Sequence, residues 1–343
     1  MRNSLPTTLS KTMKTSATCI SLRASPRISR IAPAALLALA SSASHAQVAS
    51  TSVTLYGFID SSLRYQQTKA GNSLSVVDGA ELGWAGSRWG LIGSEDLGGG
   101  VKAIFNLENG FSLDNGQLNQ GGRLFGRTAY VGLSNSFGEL TLGRQYNALY
   151  YAGSWLSDPT YVSSWSPSGN HQLNYAWDNA VVYTGRYSDF IGRLSYAAGE
   201  QAGTQHGSMQ AASLMYNGRP FGAAIAYGGI NGSGQTTFTA GGYYEIGPVT
   251  AQLVHYHTRN EPYTGTRSLI TNGVGVIYVP VPAWELTAAY WRTTADGAVD
   301  NKFLAVARYS LSKRTKLYVE ADTDRNPQSG RLSGGQAGMQ YSF

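Results

Sequence analysis

From Thr51 onward the chain alternates apolar and polar residues in short runs, broken by glycine-, asparagine- and aspartate-rich turns. Alternation with a period of two over runs of roughly ten residues is a strand signal. No stretch beyond residue 46 holds the roughly twenty consecutive apolar residues that a helix needs to cross a bilayer. The last run, Gly335 to Phe343, puts Ala337, Met339, Tyr341 and Phe343 on one face and Gln336, Gln340 and Ser342 on the other. A soluble protein rarely ends on a wholly apolar strand face with an aromatic terminus. Strands of this length, repeated to the end of an exported chain, are the pattern of a transmembrane β-barrel that closes its last strand on its first with lipid outside.

Residues 1–46 read as a signal peptide. Arg2, Lys11, Lys14, Arg23, Arg27 and Arg30 form a basic region without an acid, and Ile31 to Ala40 is a short apolar core. Ser44-His45-Ala46 then supplies a small-x-Ala cleavage site, so the exported domain spans 47–343. The basic part is long, and Met13 is a second candidate start.

Setting the leader aside changes the electrostatics. The chain has 26 Lys+Arg and 20 Asp+Glu, but six of the basic residues lie in 1–46, which leaves 20 against 20. The basic balance belongs to the leader and gives no support to nucleic-acid binding. The single cysteine, Cys19, also lies there, so the rest owes nothing to disulfides or thiolate metal sites. Twenty-two tyrosines, 7 tryptophans and 13% charged residues suit a barrel in which alternate residues meet lipid and aromatics form interfacial girdles.

About 16 strand-like runs can be counted, from Thr54–Tyr65 to Gly334–Phe343, an even number as single-chain bacterial barrels require. Short turns such as Gly98–Gly100, Gly247-Pro248 and Ser312–Arg314 alternate with longer polar loops such as Thr68–Gly86 and Arg259–Ser268. The fold expected is all-β, a 16-stranded antiparallel barrel with short periplasmic turns and long outer loops. The gap from Tyr146 to Trp177 is too long for an ordinary connection and marks a functional loop.

A charge on the lipid face near the midplane costs roughly 2–4 kcal/mol for Arg or Lys, so mid-strand charges set which parity faces inward. Asp60 and Arg64 are inward in the first strand, with Tyr56, Phe58 and Ser62, while Leu55, Ile59 and Leu63 face lipid. The same rule turns Arg88, Arg127, Arg193, Arg308, Lys316, Glu320 and Asp322 to the lumen. A polar interior of this width is expected to hold water rather than a packed core.

The segments SRWGLIGSEDLGGGVKAIFNLENGF and GGRLFGRTAYVGLSNSFGELTLGRQYN resemble the general-diffusion outer-membrane porins of Gram-negative bacteria, in the trimeric branch typical of β-proteobacteria. TLYGFID, DNAVVY at Asp178–Tyr183 and the terminal QAGMQYSF match as well. The resemblance implies a water-filled channel for small hydrophilic solutes and inorganic ions in the outer membrane. The balance of Arg88 and Arg127 against Asp158, with no basic residue at Ile92 or Ala176, leads us to expect an ungated, weakly anion-selective one. The same resemblance implies a homotrimer in contact with outer-membrane lipid and lipopolysaccharide, inserted by the barrel-assembly machinery, with Phe343 as the terminal assembly signal. It also implies that the third outer loop, here Tyr146–Trp177, folds inward to form a constriction where wall arginines face a loop acid. By position Arg88 and Arg127 are the wall, Asp158 is the opposing acid, and Arg144 anchors the loop base. Two departures weaken that wall: Ile92 and Ala176 stand where relatives commonly carry basic residues.

Other readings compete at single features. Tyr150-Tyr151 and Tyr243-Tyr244 could stack sugars, but tyrosine pairs in such chains are read as girdle residues. His255 and His257 share one strand face without a third ligand, short of a metal site. The glycine clusters lack a following helix or a P-loop lysine, so no nucleotide cofactor is expected. A barrel lipase would need a Ser/His pair at the outer rim, and although His171 and His206 fall in loops, no nucleophile motif accompanies them. A narrow structural barrel or adhesin would fill its own interior. The channel reading, with no catalysis and no cofactor, is the one expected.

Overall fold

The computed structural model describes residues 51–79, 85–160, 165–200, 204–261, 265–326 and 330–343, so the signal-peptide reading of 1–46 lies outside the described residues. Its strands are β1 (Thr51–Thr68), β2 (Gly71–Asp78), β3 (Arg88–Gly98), β4 (Val101–Gly110), β5 (Thr128–Asn135), β6 (Gly138–Tyr146), β7 (Ala176–Tyr187), β8 (Phe190–Ala197) and β9 (Met209–Asn217). They continue as β10 (Phe221–Ile230), β11 (Thr236–Ile246), β12 (Val249–Glu261), β13 (Thr266–Tyr278), β14 (Trp284–Ala295), β15 (Ala298–Ser310), β16 (Thr315–Asn326) and β17 (Gly330–Ser342). From β3 to β17 each pairs antiparallel with the next around a ring.

The seventeen strand segments fill sixteen positions. β2 pairs with the second half of β1 (Ser61–Thr68) and β3 with the first half (Thr51–Phe58), so the two form one interrupted stave. The expected loop Thr68–Gly86 is therefore corrected: Gly71–Asp78 is strand, folded back from a tight turn at Lys69-Ala70. Its composition is polar enough to read as loop. What makes it a strand is the free edge of a β1 much longer than its other neighbours, whose buried N–H and C=O groups would otherwise go unpaired.

β17 closes the ring on β1 from Phe58↔Ser342 to Gln67↔Ser333. Gly57 and Phe343 add a reciprocal pair, each N–H donating to the other's carbonyl at 3.0 Å. The outward face carries Leu63, Leu133, Leu194, Ile225, Leu253, Val274 and Met339, all exposed and apolar, as lipid requires. No helix among the described residues is long and apolar enough to cross a membrane.

The interior departs from the expected all-polar lumen. Inward positions of β7–β10 (Val182, Ile191, Met215, Ala224, Ala226) form a buried apolar cluster with Leu149, Ala152, Leu156 and Leu173 from the long loop. A second cluster joins Trp165 to Trp291, Leu304, Val306 and Tyr318. Part of the barrel is packed because a loop can be held inside water only by burying its own apolar face.

Candidate pore constriction

The loop leaves β6 at Tyr146, forms a helical turn Ala148–Tyr150 and a wider π turn Tyr151–Ser157, and returns through a 3-10 turn Pro167–His171. Asn147 joins its two legs. Its side chain accepts from Tyr150 N–H (3.0 Å) and donates to the carbonyls of Gln172 (2.8 Å) and Asn174 (3.1 Å). Arg144 does the same one residue pair lower. Its Nε donates to the Gly126 carbonyl (2.6 Å), and its Nη1 to the Ala176 carbonyl (3.3 Å) and the Asp178 carboxylate (2.8 Å). Arg123 binds the other oxygen of Asp178 at 2.8 Å.

The far side of the loop docks on the opposite wall. His171 is buried, stacked on Tyr256 with centroids 4.8 Å apart, and bonded through its two ring nitrogens to Thr258 and Thr271, each at 2.8 Å. Burial pushes its imidazole down to about 3, with His255 and His257 adding in the same direction. Beyond it, the indole of Trp165 lies over the Arg64 guanidinium at 4.9 Å. Arg64 is 1% exposed and forms a bidentate pair with Asp322 at 2.7 and 2.9 Å.

Asp158 does not face the wall arginines. It is fully buried, accepting from Thr160 N–H (2.9 Å), Thr160 hydroxyl (2.6 Å) and Ser166 hydroxyl (2.5 Å). Burial raises its carboxyl above the usual range while the Ser166 and Thr160 bonds oppose the shift. The expectation of an acid across the pore is thus corrected: an acid with three local donors is satisfied inside the loop and turns away from solvent.

The carboxylate that meets the arginines is Glu108 on β4. Arg127 Nε lies 2.6 Å from Oε1 and Arg88 Nε 3.9 Å from Oε2. Tyr56 donates to Oε2 (2.9 Å) and Tyr146 to Oε1 (3.3 Å). Charge parity along Val101–Phe111 is a sufficient signal for Glu108, since Lys102, Asn106 and Glu108 share one face. Arg88 also donates to the Gly86 carbonyl (3.1 Å) and covers the Phe58 ring at 4.9 Å.

The remaining predicted lumen groups differ in how much water they meet. Asp60 and Arg64 point inward but are buried, Asp60 accepting from Tyr318 hydroxyl (2.8 Å) and Ala85 N–H (3.0 Å). Glu320 is likewise inward and 5% exposed. Arg308 pairs with Glu285, and Lys316 is inward and half-buried. Arg193 is 9% exposed and lies over Tyr151 at 3.7 Å. Ile92 lines the lumen at 45% exposure, whereas Ala176 is fully buried at the loop base, so that position is not on the pore wall. Tyr150 and Tyr151 sit in the inward loop, which corrects their reading as girdle residues; Tyr244 is on the outer face. His255 and His257 bond Asn272 and Ser268, and no group of three or more metal-binding side chains occurs among the described residues.

The long loop thus folds into a lumen of sixteen staves, and arginines gather on the wall beside it. A model of the Gram-negative porin family matches residues 33–329. The chain belongs to that family. An outer membrane porin protein of Bordetella pertussis is 35% identical, over 85% of this chain and 93% of its own. Outer membrane porin protein 32 of Delftia acidovorans is 44% identical over 32% of this chain and 30% of its own. Among solved structures, an anion-selective porin from Comamonas acidovorans shares the fold at a TM-score of 0.74, with 24% identity over 86% of this chain and all (100%) of that one. Salmonella typhi OmpF does so at 0.65, with 17% identity over 85% of this chain and 97% of its own. This porin is an outer-membrane, multi-pass β-barrel channel, and the relatives are channel proteins.

Proposed function

We propose that this porin is an ungated, non-enzymatic diffusion channel for small hydrophilic solutes that prefers anions, with Arg88, Arg127 and Arg193 as the basic wall and Arg144 as the loop anchor. One observation carries the anion preference. Arg88 and Arg127 share a single carboxylate, Glu108, Arg193 forms no ion pair among the described residues, and the loop acid Asp158 is buried. The acids Asp60, Asp322 and Glu320 on the other wall are covered too, so they add little field to the water path. Charge at the narrowest point sets selectivity. We further propose a homotrimer, export by way of the leader 1–46, insertion by the barrel-assembly machinery with Phe343 as its signal, and contact with lipopolysaccharide.

The test is the zero-current potential of the protein, purified from outer membranes, in a tenfold KCl gradient across a planar bilayer. The expected sign is that set by faster chloride movement. A potential of the opposite sign would remove the anion preference and leave the channel.

A further inference from the structure

We propose that Arg193, Tyr151, Tyr150 and Tyr130 form a weak binding subsite for small aromatic carboxylates inside the pore. The proposal rests on the channel reading above, because a solute must enter the lumen to reach it. Arg193 stands on the inward face of β8, and its guanidinium carbon lies 3.7 Å from the Tyr151 ring centroid. It is 9% exposed, its Nε has no hydrogen-bond partner, and among the described residues it pairs with no acid. A guanidinium taken this far out of water needs compensation. The ring face of Tyr151 supplies part of it, and the charge stays open to an incoming anion. Arg127 differs: it lies over Tyr146 at 5.9 Å, but Glu108 already holds its charge.

The surroundings of Arg193 are aromatic. Tyr150 meets Tyr151 edge to face at 5.4 Å and 90°, and it stacks on Tyr146 at 4.3 Å. Tyr130, on β5, is within electrostatic reach of both Tyr151 and Arg193. All four tyrosines are half-buried. A planar carboxylate suits the guanidinium fork, and a flat ring attached to it suits tyrosine edges and faces. Chloride or an alkyl carboxylate can use only the first contact. A neutral sugar can use only the second and leaves the cation unpaired. Binding of this strength fits a pore, where a solute must also leave.

The experiment compares sodium benzoate with sodium cyclohexanecarboxylate, equal in charge and nearly equal in size, added to single channels of the protein in KCl. Benzoate is expected to dwell roughly two- to fivefold longer per current block, the size of one exposed aromatic contact. Tyr151→Leu should bring the ratio of dwell times toward one, and Arg193→Gln should shorten blocks by both anions. If the wild-type channel conducts KCl but treats the two carboxylates alike, the subsite is overturned and the channel reading stands; this comparison needs no variant to fold. A ratio that persists in both variants places the contact elsewhere and also overturns the proposal. Absence of KCl conductance would remove the channel reading and the subsite together.

Discussion

A Cβ on Gly57 would fall 2.1 Å from the ring of Phe343, so the last side chain of the chain lies flat on β1 only because β1 has no side chain there. Gly57→Ala and Phe343→Ala should therefore fail in the same way, by loosening closure of β17 on β1. Each is expected to cost on the order of 1–3 kcal/mol. Both should lower the amount of heat-modifiable barrel in the outer membrane, read by gel mobility before and after boiling, with little change in conductance per assembled pore. Wild-type levels of either variant would contradict the seat. His171 gives a second prediction at this scale. Its imidazole titrates at about 3 in the fold against 6.5 as the ordinary value. The docked loop thus favours neutral histidine: its stability is complete above pH 6.5 and declines as pH falls from there toward 3, by about 2 kcal/mol at pH 5. Single-channel recordings should grow noisier between pH 6 and 4, and His171→Gln, which cannot titrate, should remove that dependence. Noise that does not change with pH in the wild type would contradict it.

At the scale of elements, the loop is held at its base by Asn147 and Arg144 and at its tip by Trp165. Asn147→Ala leaves the Gln172 and Asn174 carbonyls without a partner from that side chain, a loss of about 1–3 kcal/mol. Trp165→Ala removes a buried aromatic, worth roughly 3–5 kcal/mol. Both variants should raise mean conductance and its variance while leaving trimer yield unchanged, since neither residue lies on a strand; a conductance indistinguishable from wild type would show that the loop is held elsewhere. The strands and their inward parity are legible in the sequence because a lipid-facing charge is costly, and Arg88, Arg193 and Lys316 each mark a face. The loop docking is not legible there. Val182, Met215 and Ala224 are apolar residues at inward positions, and their sequence does not show that they join Leu149 and Leu156 of the loop in one buried cluster. Asp158 misleads for a related reason. Its partners Thr160 and Ser166 are too common to signal that they bury it. Glu108 is within reach of the same parity rule that finds its two arginines.

At the scale of the molecule, the exposed apolar outer face, with Leu55, Leu63, Leu317 and Met339 clustered near the closure of β1 on β17, must meet lipid or another copy. The trimer proposal predicts that mass photometry in mild detergent, without heating, finds three chains per particle; single chains throughout would contradict it. Arg88 and Arg127 keep part of their side chains in water, so the preference should weaken as salt screens them over the Debye length, about 10 Å at 0.1 M. The central claim is that the wall, and not the loop acid, sets ion preference. It is tested most directly by the zero-current potential in a KCl gradient for Arg88→Gln/Arg127→Gln beside Asp158→Asn. The double variant should shift toward cation preference, because it leaves Glu108 without its two cations, while the Asp158 variant should keep the wild-type potential. A shift in the Asp158 variant with none in the double variant would contradict the account.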